Sequence, residues 1–267
     1  MKINNLSKES AVSEKVKTTS VSADGACEKQ EAVIITEHAM DIIVNEKKIM
    51  QLSCTGTNLC ELVVGRLVTE GIIETFDDVE TIQICESGLR ATVFLAHDIQ
   101  FEEIIEKEKT CCTQNKVFSR SLSQKELKEV KPAVWKNEWI FNLANEFAKD
   151  SGIHNATKGT HCCYLGVESD VIASFEDIGR HNAVDKTIGY ALINGISFNR
   201  CILFTTGRVP TDMVAKAVAA GIPVLVSKAV PTDEAVAMAK KYKLALICKA
   251  WTDRFEIFND ARREIRE

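Results

Sequence analysis

The chain has 267 residues, 45% of them apolar and 27% charged, which is the make-up of a globular protein with room for one large or two small domains. A net charge of −5 excludes a general nucleic-acid footprint, so any contact with a polyanion must be local. No apolar run is long enough to span a membrane and residues 1–30 lack the apolar core of a signal peptide, so a cytoplasmic chain with no membrane partner is expected.

Residues 1–30 are rich in Lys, Ser, Thr and Glu and read as a mostly disordered tail. Residues 31–101 read as a small α+β domain. Within it His38 to Val44 and Lys48 to Cys54 flank the polar turn Asn45-Glu46-Lys47 as a hairpin. A helix follows on Leu59, Leu62, Val63 and Leu67 and closes at Gly71, before strands Val79 to Cys85 and Ala91 to Leu95. Residues 102–131 form a long polar connector that carries Cys111 and Cys112, a length that is usually functional or disordered.

Residues 132–267 read as an α/β domain. A helix spans Pro132 to Lys149, and strands are expected at His161 to Val167, Val171 to Phe175, Cys201 to Phe204, Pro223 to Ser227 and Leu244 to Cys248. Helices are expected at Asn182 to Asn194, Thr211 to Ala220 and Thr232 to Tyr242. The last three strands are continuous apolar runs joined by single helices, the pattern of parallel strands covered on both faces. Loops at the carboxyl ends of such strands gather on one edge, where ligands bind.

Three loops share that edge: Glu176 to Asp185, Thr205 to Asp212, and Ser227 to Asp233. The second and third both contain Val-Pro-Thr-Asp, which is mostly helix-start chemistry. The surplus is Gly207-Arg208 before one helix and Ser227-Lys228 before the other, where cations beside helix N-termini suit a phosphate or pyrophosphate. Arg180, His181, Asn182, Asp185 and Lys186 fill the first loop. His181 reads as a general base, a phosphate contact or a core histidine. The core reading is disfavoured, because Arg180, His181 and Asn182 cannot easily be buried together. Asp185 lies one helical turn after His181 and either orients the imidazole or, with Lys186, is a surface charge.

The ten cysteines mostly sit inside apolar patterns and read as reduced, buried small hydrophobes. No Cys-x-x-Cys pair occurs, which argues against a zinc ribbon or a thioredoxin-type site, and no metal site is expected. Cys111-Cys112 differs: in a polar loop between Lys109 and Lys116 a thiol is accessible and its thiolate favoured, whether it carries sulfur as a persulfide or simply sits exposed. Cys162-Cys163 reads as structural.

These motifs resemble the formate dehydrogenase accessory sulfurtransferase family (FdhD), from about Thr36 to Phe258. The resemblance rests on Glu176-Asp177-Ile178-Gly179-Arg180-His181-Asn182-Ala183-Val184-Asp185-Lys186, on Thr206-Gly207-Arg208, and on Lys216-Ala217 through Gly221-Ile222-Pro223 to Ser227. Leu62-Val63-Val64-Gly65-Arg66-Leu67 and Gly159-Thr160-His161 extend it. It implies a cytidine-deaminase-like three-layer α/β/α C-terminal domain without that fold's zinc site, a smaller α+β N-terminal domain, and a homodimer. It also implies a sulfur carrier. Sulfur comes from a cysteine desulfurase as a cysteine persulfide and passes to the bis(molybdopterin guanine dinucleotide) form of the molybdenum cofactor, a bound substrate, before that cofactor enters formate dehydrogenase.

The chain departs from the family's pattern in two places. The family's Cys-x-x-Cys loop aligns its first cysteine with Cys112 and its second with Asn115, leaving Cys111 as a substitute partner. The alternative reading is therefore a cofactor chaperone without sulfur transfer. The C-terminal cofactor segment reads Lys249-Ala250-Trp251-Thr252-Asp253-Arg254: Arg254 is kept, Trp251 stands where a middle arginine is usual, and Asp253 adds charge of the wrong sign. The resemblance thus assigns sulfur transfer to Cys112 and Cys111, and cofactor binding to residues 249–254 with Arg180, His181, Asn182, Asp185, Lys186, Gly207, Arg208 and Ser227.

Overall fold

The computed structural model describes residues 1–8, 11–107, 115–121, 126–149 and 152–262. The first half contributes β1 (Lys2–Asn5), β2 (Ser13–Val21), β3 (Cys27–Ile35), β4 (His38–Val44), β5 (Lys47–Cys54) and α1 (Leu59–Thr69). Then come β6 (Val79–Ile84), β7 (Arg90–Leu95), β8 (Phe101–Lys107) and β9 (Lys116–Ser121). The second half contributes α2 (Asn137–Lys149), α3 (Gly152–Thr157), β10 (His161–Val167), β11 (Asp170–Asp177) and α4 (Arg180–Ile193). It ends with β12 (Cys201–Thr205), α5 (Thr211–Ala219), β13 (Val224–Ser227), α6 (Asp233–Lys241), β14 (Ala245–Cys248) and β15 (Glu256–Asn259).

A seven-stranded sheet runs β1-β6-β7-β4-β5-β9-β8, a six-stranded sheet β11-β10-β12-β13-β14-β15, and β2-β3 form a separate ribbon. In the six-stranded sheet β12, β13 and β14 are parallel, as their apolar runs require, and β10, β11 and β15 complete it in antiparallel pairing. Alternate side chains enter two cores. Cys162, Tyr164, Ile202, Phe204, Val224, Val226, Ala245 and Ile247 pack under α2. Cys163, Leu165, Cys201, Leu203, Leu225 and Leu246 join the larger core with α1, α4 and α5. That larger core continues without a break into β4, β5, β6 and β7, so both sheets share it.

The crossing of α1 and α4 holds the two sheets together. A Cβ on Gly65 would lie 1.7 Å from the carbonyl oxygen of Asp185, and one on Gly189 would lie 1.9 Å from that of Glu61. Only glycine lets the two backbones approach this closely.

Three expectations are corrected. Residues 1–30 are not a structureless tail: β1 adds in parallel to β6, and β2 pairs with β3 around a turn in which Gly25 takes φ 88°. β-branched Val16, Thr18, Thr19 and Val21 supply the strand preference. The connector also supplies β8 and β9 to the seven-stranded sheet, so that sheet draws on strands from residues 2–121 and overruns the expected 31–101 boundary. In addition, α2 begins at Asn137 rather than Pro132, because Trp135 turns inward and is buried in the smaller core.

Candidate functional site

The carboxyl ends of β11, β12, β13 and β14 lie on one edge with the start of antiparallel β10. The helices α4, α5 and α6 begin there. Among the described residues Thr232 caps α6 by accepting from the Ala235 amide at 3.2 Å, whereas no side chain caps α4 or α5. The first-turn amides of those two helices are therefore the anion-seeking groups of the edge.

The loops interlock. Ser227 Oγ donates to the Gly207 carbonyl at 2.7 Å and accepts from the Ala229 amide at 3.0 Å. The Lys228 amide reaches the Thr205 carbonyl, and the Ala250 amide the Ser227 carbonyl, each at 3.0 Å. Val209 and Pro231 pair as a parallel bridge, so the two Val-Pro-Thr-Asp stretches run side by side. Gly207 leaves room for Arg180: a Cβ there would come within 2.8 Å of the Arg180 Cβ.

The expectation that Arg180, His181 and Asn182 could not be buried together is overturned: they are 7%, 1% and 0% exposed. His181 and Asn182 each have a partner from a distant part of the chain, Asp212 and Ser53, which offsets the cost of burying them. His181 Nε2 lies 3.0 Å from Asp212 Oδ2, so Asp212 of α5, not Asp185, orients the imidazole. Asn182 Nδ2 donates to the Ser53 carbonyl at 2.8 Å and to Asp177 Oδ1 at 2.9 Å.

Asp185 and Lys186 are interior, not surface charges. Asp185 accepts from Lys216 Nζ at 2.8 Å and Thr69 at 2.9 Å, with Arg66 at 3.6 Å. Lys186 Nζ lies 2.7 Å from Asp177 Oδ2 and 2.6 Å from Thr55 Oγ1. Asp177 also accepts from the Thr55 and Gly179 amides at 3.0 Å. These two carboxylates anchor α4 to β5, α1 and α5.

Arg208 is exposed beside the start of α5. The Lys228 ammonium lies 4.7 Å from the Phe147 ring centroid and 4.8 Å from that of Trp251, which is 44% exposed. Thr252, Asp253 and Arg254 are exposed, Ala250 is buried, and Lys249 Nζ pairs with Glu256 at 2.9 Å. Cys111 and Cys112 lie outside the described residues. Asn115, three positions on, is fully buried; its Oδ1 accepts from the Ser53 amide at 2.9 Å.

Burial, then the charges of Arg180, His154 and His181, hold the His161 imidazole below its usual range against a smaller opposing effect of Asp177. Burial would raise the Asp212 carboxyl, but the hydrogen bond and charge of His181, with Arg180, outweigh it and hold it low. Burial pushes the Cys60, Cys163, Cys201 and Cys248 thiols up to about 12, and raises Cys54 and Cys162 as well. Cys162 and Cys163 are buried on opposite faces of the sheet.

Asp212 was legible only as a helix-start acid, and Lys228 only as a loop cation. Thr55, Arg66, Lys216 and Phe147 had no local signal of a role at this edge.

Fold and edge together define an α/β protein with a basic, helix-start rim at the carboxyl ends of parallel strands. Residues 35–265 match the FdhD/NarQ family, and the chain belongs to it. It is similar to the sulfur carrier protein FdhD of Bacillus subtilis strain 168, 30% identical over 253 residues and covering 91% of this chain and 94% of that protein. It is similar to the protein of the same name from Wolinella succinogenes, 30% identical over 243 residues with coverage of 88% and 83%. The one from Listeria monocytogenes serotype 4b is 28% identical over 245 residues with coverage of 90% and 94%. A crystal structure described as that of a formate dehydrogenase accessory protein from Desulfotalea psychrophila shares the fold, with a TM-score of 0.76, 24% identity, and coverage of 93% of this chain and 97% of that one.

Proposed function

We propose that this chain carries sulfur for the maturation of formate dehydrogenase, with Cys112 as the persulfide cysteine and bis(molybdopterin guanine dinucleotide) as the bound substrate. The observation that carries the reading is the edge itself. Two uncapped helix N-termini, with Arg180 and Arg208 beside them, match a diphosphate, and Trp251 offers an exposed face for a purine. Among the predicted contacts Arg208, Lys249, Trp251, Thr252, Asp253 and Arg254 are exposed and form the ligand side, while buried Gly207, Ser227 and Ala250 shape the loops beneath them. Asp185, Lys186 and Asn182 hold α4 in place behind them.

The thiol chemistry supports the same reading. Among the described residues six cysteines are buried, and burial keeps those thiols protonated at neutral pH. Sulfur uptake needs a thiolate, so the carrier is sought among the rest. Asn115, three positions after Cys112 in the sequence, touches α4. In the uptake step the Cys112 thiolate attacks the terminal sulfur of the desulfurase persulfide. The donor's S–S bond breaks, the donor leaves as thiolate, and a new S–S bond forms on Cys112. Passing that sulfur on as sulfide returns Cys112 to its thiol and takes two electrons, supplied by an external dithiol.

Mass spectrometry after incubation with a cysteine desulfurase and cysteine tests this. The peptide holding Cys111 and Cys112 should gain one sulfur, and Cys112→Ala should abolish both that gain and formate dehydrogenase maturation. Maturation that survives Cys112→Ala would leave a cofactor chaperone without sulfur transfer.

A further inference from the structure

Where β9 enters the seven-stranded sheet, its ladder with β5 ends at the pair Gln51 and Lys116. Just beyond that pair a side chain replaces the backbone. The Ser53 amide donates to Asn115 Oδ1 at 2.9 Å, while the Ser53 carbonyl accepts from Asn182 Nδ2 at 2.8 Å. Asn115 Nδ2 and Asn182 Oδ1 close the triangle at 3.5 Å. Both asparagines are 0% exposed. One residue of β5 is thus gripped from two sides, by the residue just before β9 and by a residue in the first turn of α4. Asn182 continues the link to Asp177 Oδ1 at 2.9 Å, and Asp177 also holds the Gly179 amide at the start of α4.

A buried amide costs free energy unless its donor and acceptor are both used. Strand pairing alone needs neither, since a backbone carbonyl would satisfy Ser53. What the amide adds is a contact to α4, the helix that presents Arg180 and His181 to the edge. We infer that Asn115 is a positioning residue for sulfur transfer: its side chain ties the start of β9 to the first turn of α4. This inference rests on the sulfur-carrier reading above. Delivery to a substrate held at the edge gains most from such a tie on α4, because an error of about 1 Å in placement costs up to about a hundred-fold in rate. Loading needs no such tie, since the desulfurase brings its own persulfide to the thiol.

The test separates the two steps in the full-length protein. Loading is read as sulfur gained by the peptide holding Cys111 and Cys112 after incubation with a desulfurase and cysteine. Delivery is read as formate dehydrogenase activity restored in cells lacking their own carrier, per loaded sulfur. Asn115→Ala should load within about two-fold of the unaltered chain and deliver about ten-fold less. Asn115→Asp keeps the acceptor for the Ser53 amide, so the strand contact survives. It places a carboxylate where an amide donated to Asn182, and it should lose delivery to the same extent. Delivery at the unaltered level in Asn115→Asp would overturn the inference, as would loading and delivery falling by one common factor in both variants. Activity retained by Cys112→Ser would bring down the sulfur-carrier reading itself, and this inference with it.

Discussion

Two sets of charges in this protein, one in the interior and one at the edge, behave in opposite ways. Around Asp177 and Asp185 every charge is interior: Lys186, Asp177 and Asp185 are 0% exposed, and Arg66 is 1% exposed. At the edge above them Arg208, Lys249 and Arg254 face solvent. The interior set is held by fixed partners, so its electrostatics are spent on geometry. The edge set is screened and costs little to leave without an anion. One hub helix, α4, starts at the edge and carries Asp185 and Lys186 of the interior set, which is how the eleven residues from Glu176 to Lys186 can read as a ligand loop and also be mostly core.

Removing one member of the interior set should have the largest effect. Lys186→Ala leaves the Asp177 carboxylate without its counter-charge and should cost about 3–5 kcal/mol in urea unfolding. A loss under about 1 kcal/mol would show that solvent reaches Asp177 and would erase the contrast. Arg208→Ala should do the reverse. Stability should stay within about 0.5 kcal/mol, while GDP, as a probe of the edge, should bind about ten-fold more weakly by calorimetry, equivalent to about 1.4 kcal/mol. The smallest effect should be a pH slope. His161 binds a proton less readily in the fold than in the open chain. Between the ordinary imidazole value of about 6.5 and its lower folded value, the unfolded chain holds more protons. Stability should therefore fall as pH drops through that window, and His161→Gln should flatten the slope of the melting temperature there. A slope that is unchanged in His161→Gln would assign the window to another group.

The parallel strands were legible because β12, β13 and β14 are apolar on both faces, and the two cores explain why. The hairpin of β4 and β5 and the helix α1 were legible from turn and cap chemistry. β2 and β3 were not, because nearly all their residues are exposed or half-buried and no face repeats apolar side chains. The gathering of three loops at one edge followed from topology. The burial of α4's charges did not, since the partners of Lys186 and Asp185 include Thr55, 131 positions away, and Thr69, 116 positions away. No local pattern announces a counter-ion at that separation.

The crossing of Gly65 and Gly189 has a consequence for how this chain can vary. Glycine has no smaller neighbour in the amino-acid alphabet, so every substitution at either position adds atoms where backbone already stands. The oxygen that a Gly65 side chain would strike belongs to Asp185, the residue whose carboxylate gathers Lys216, Thr69 and Arg66. A single methyl group there would push on shape and on charge together, and drift at this crossing is closed in one direction.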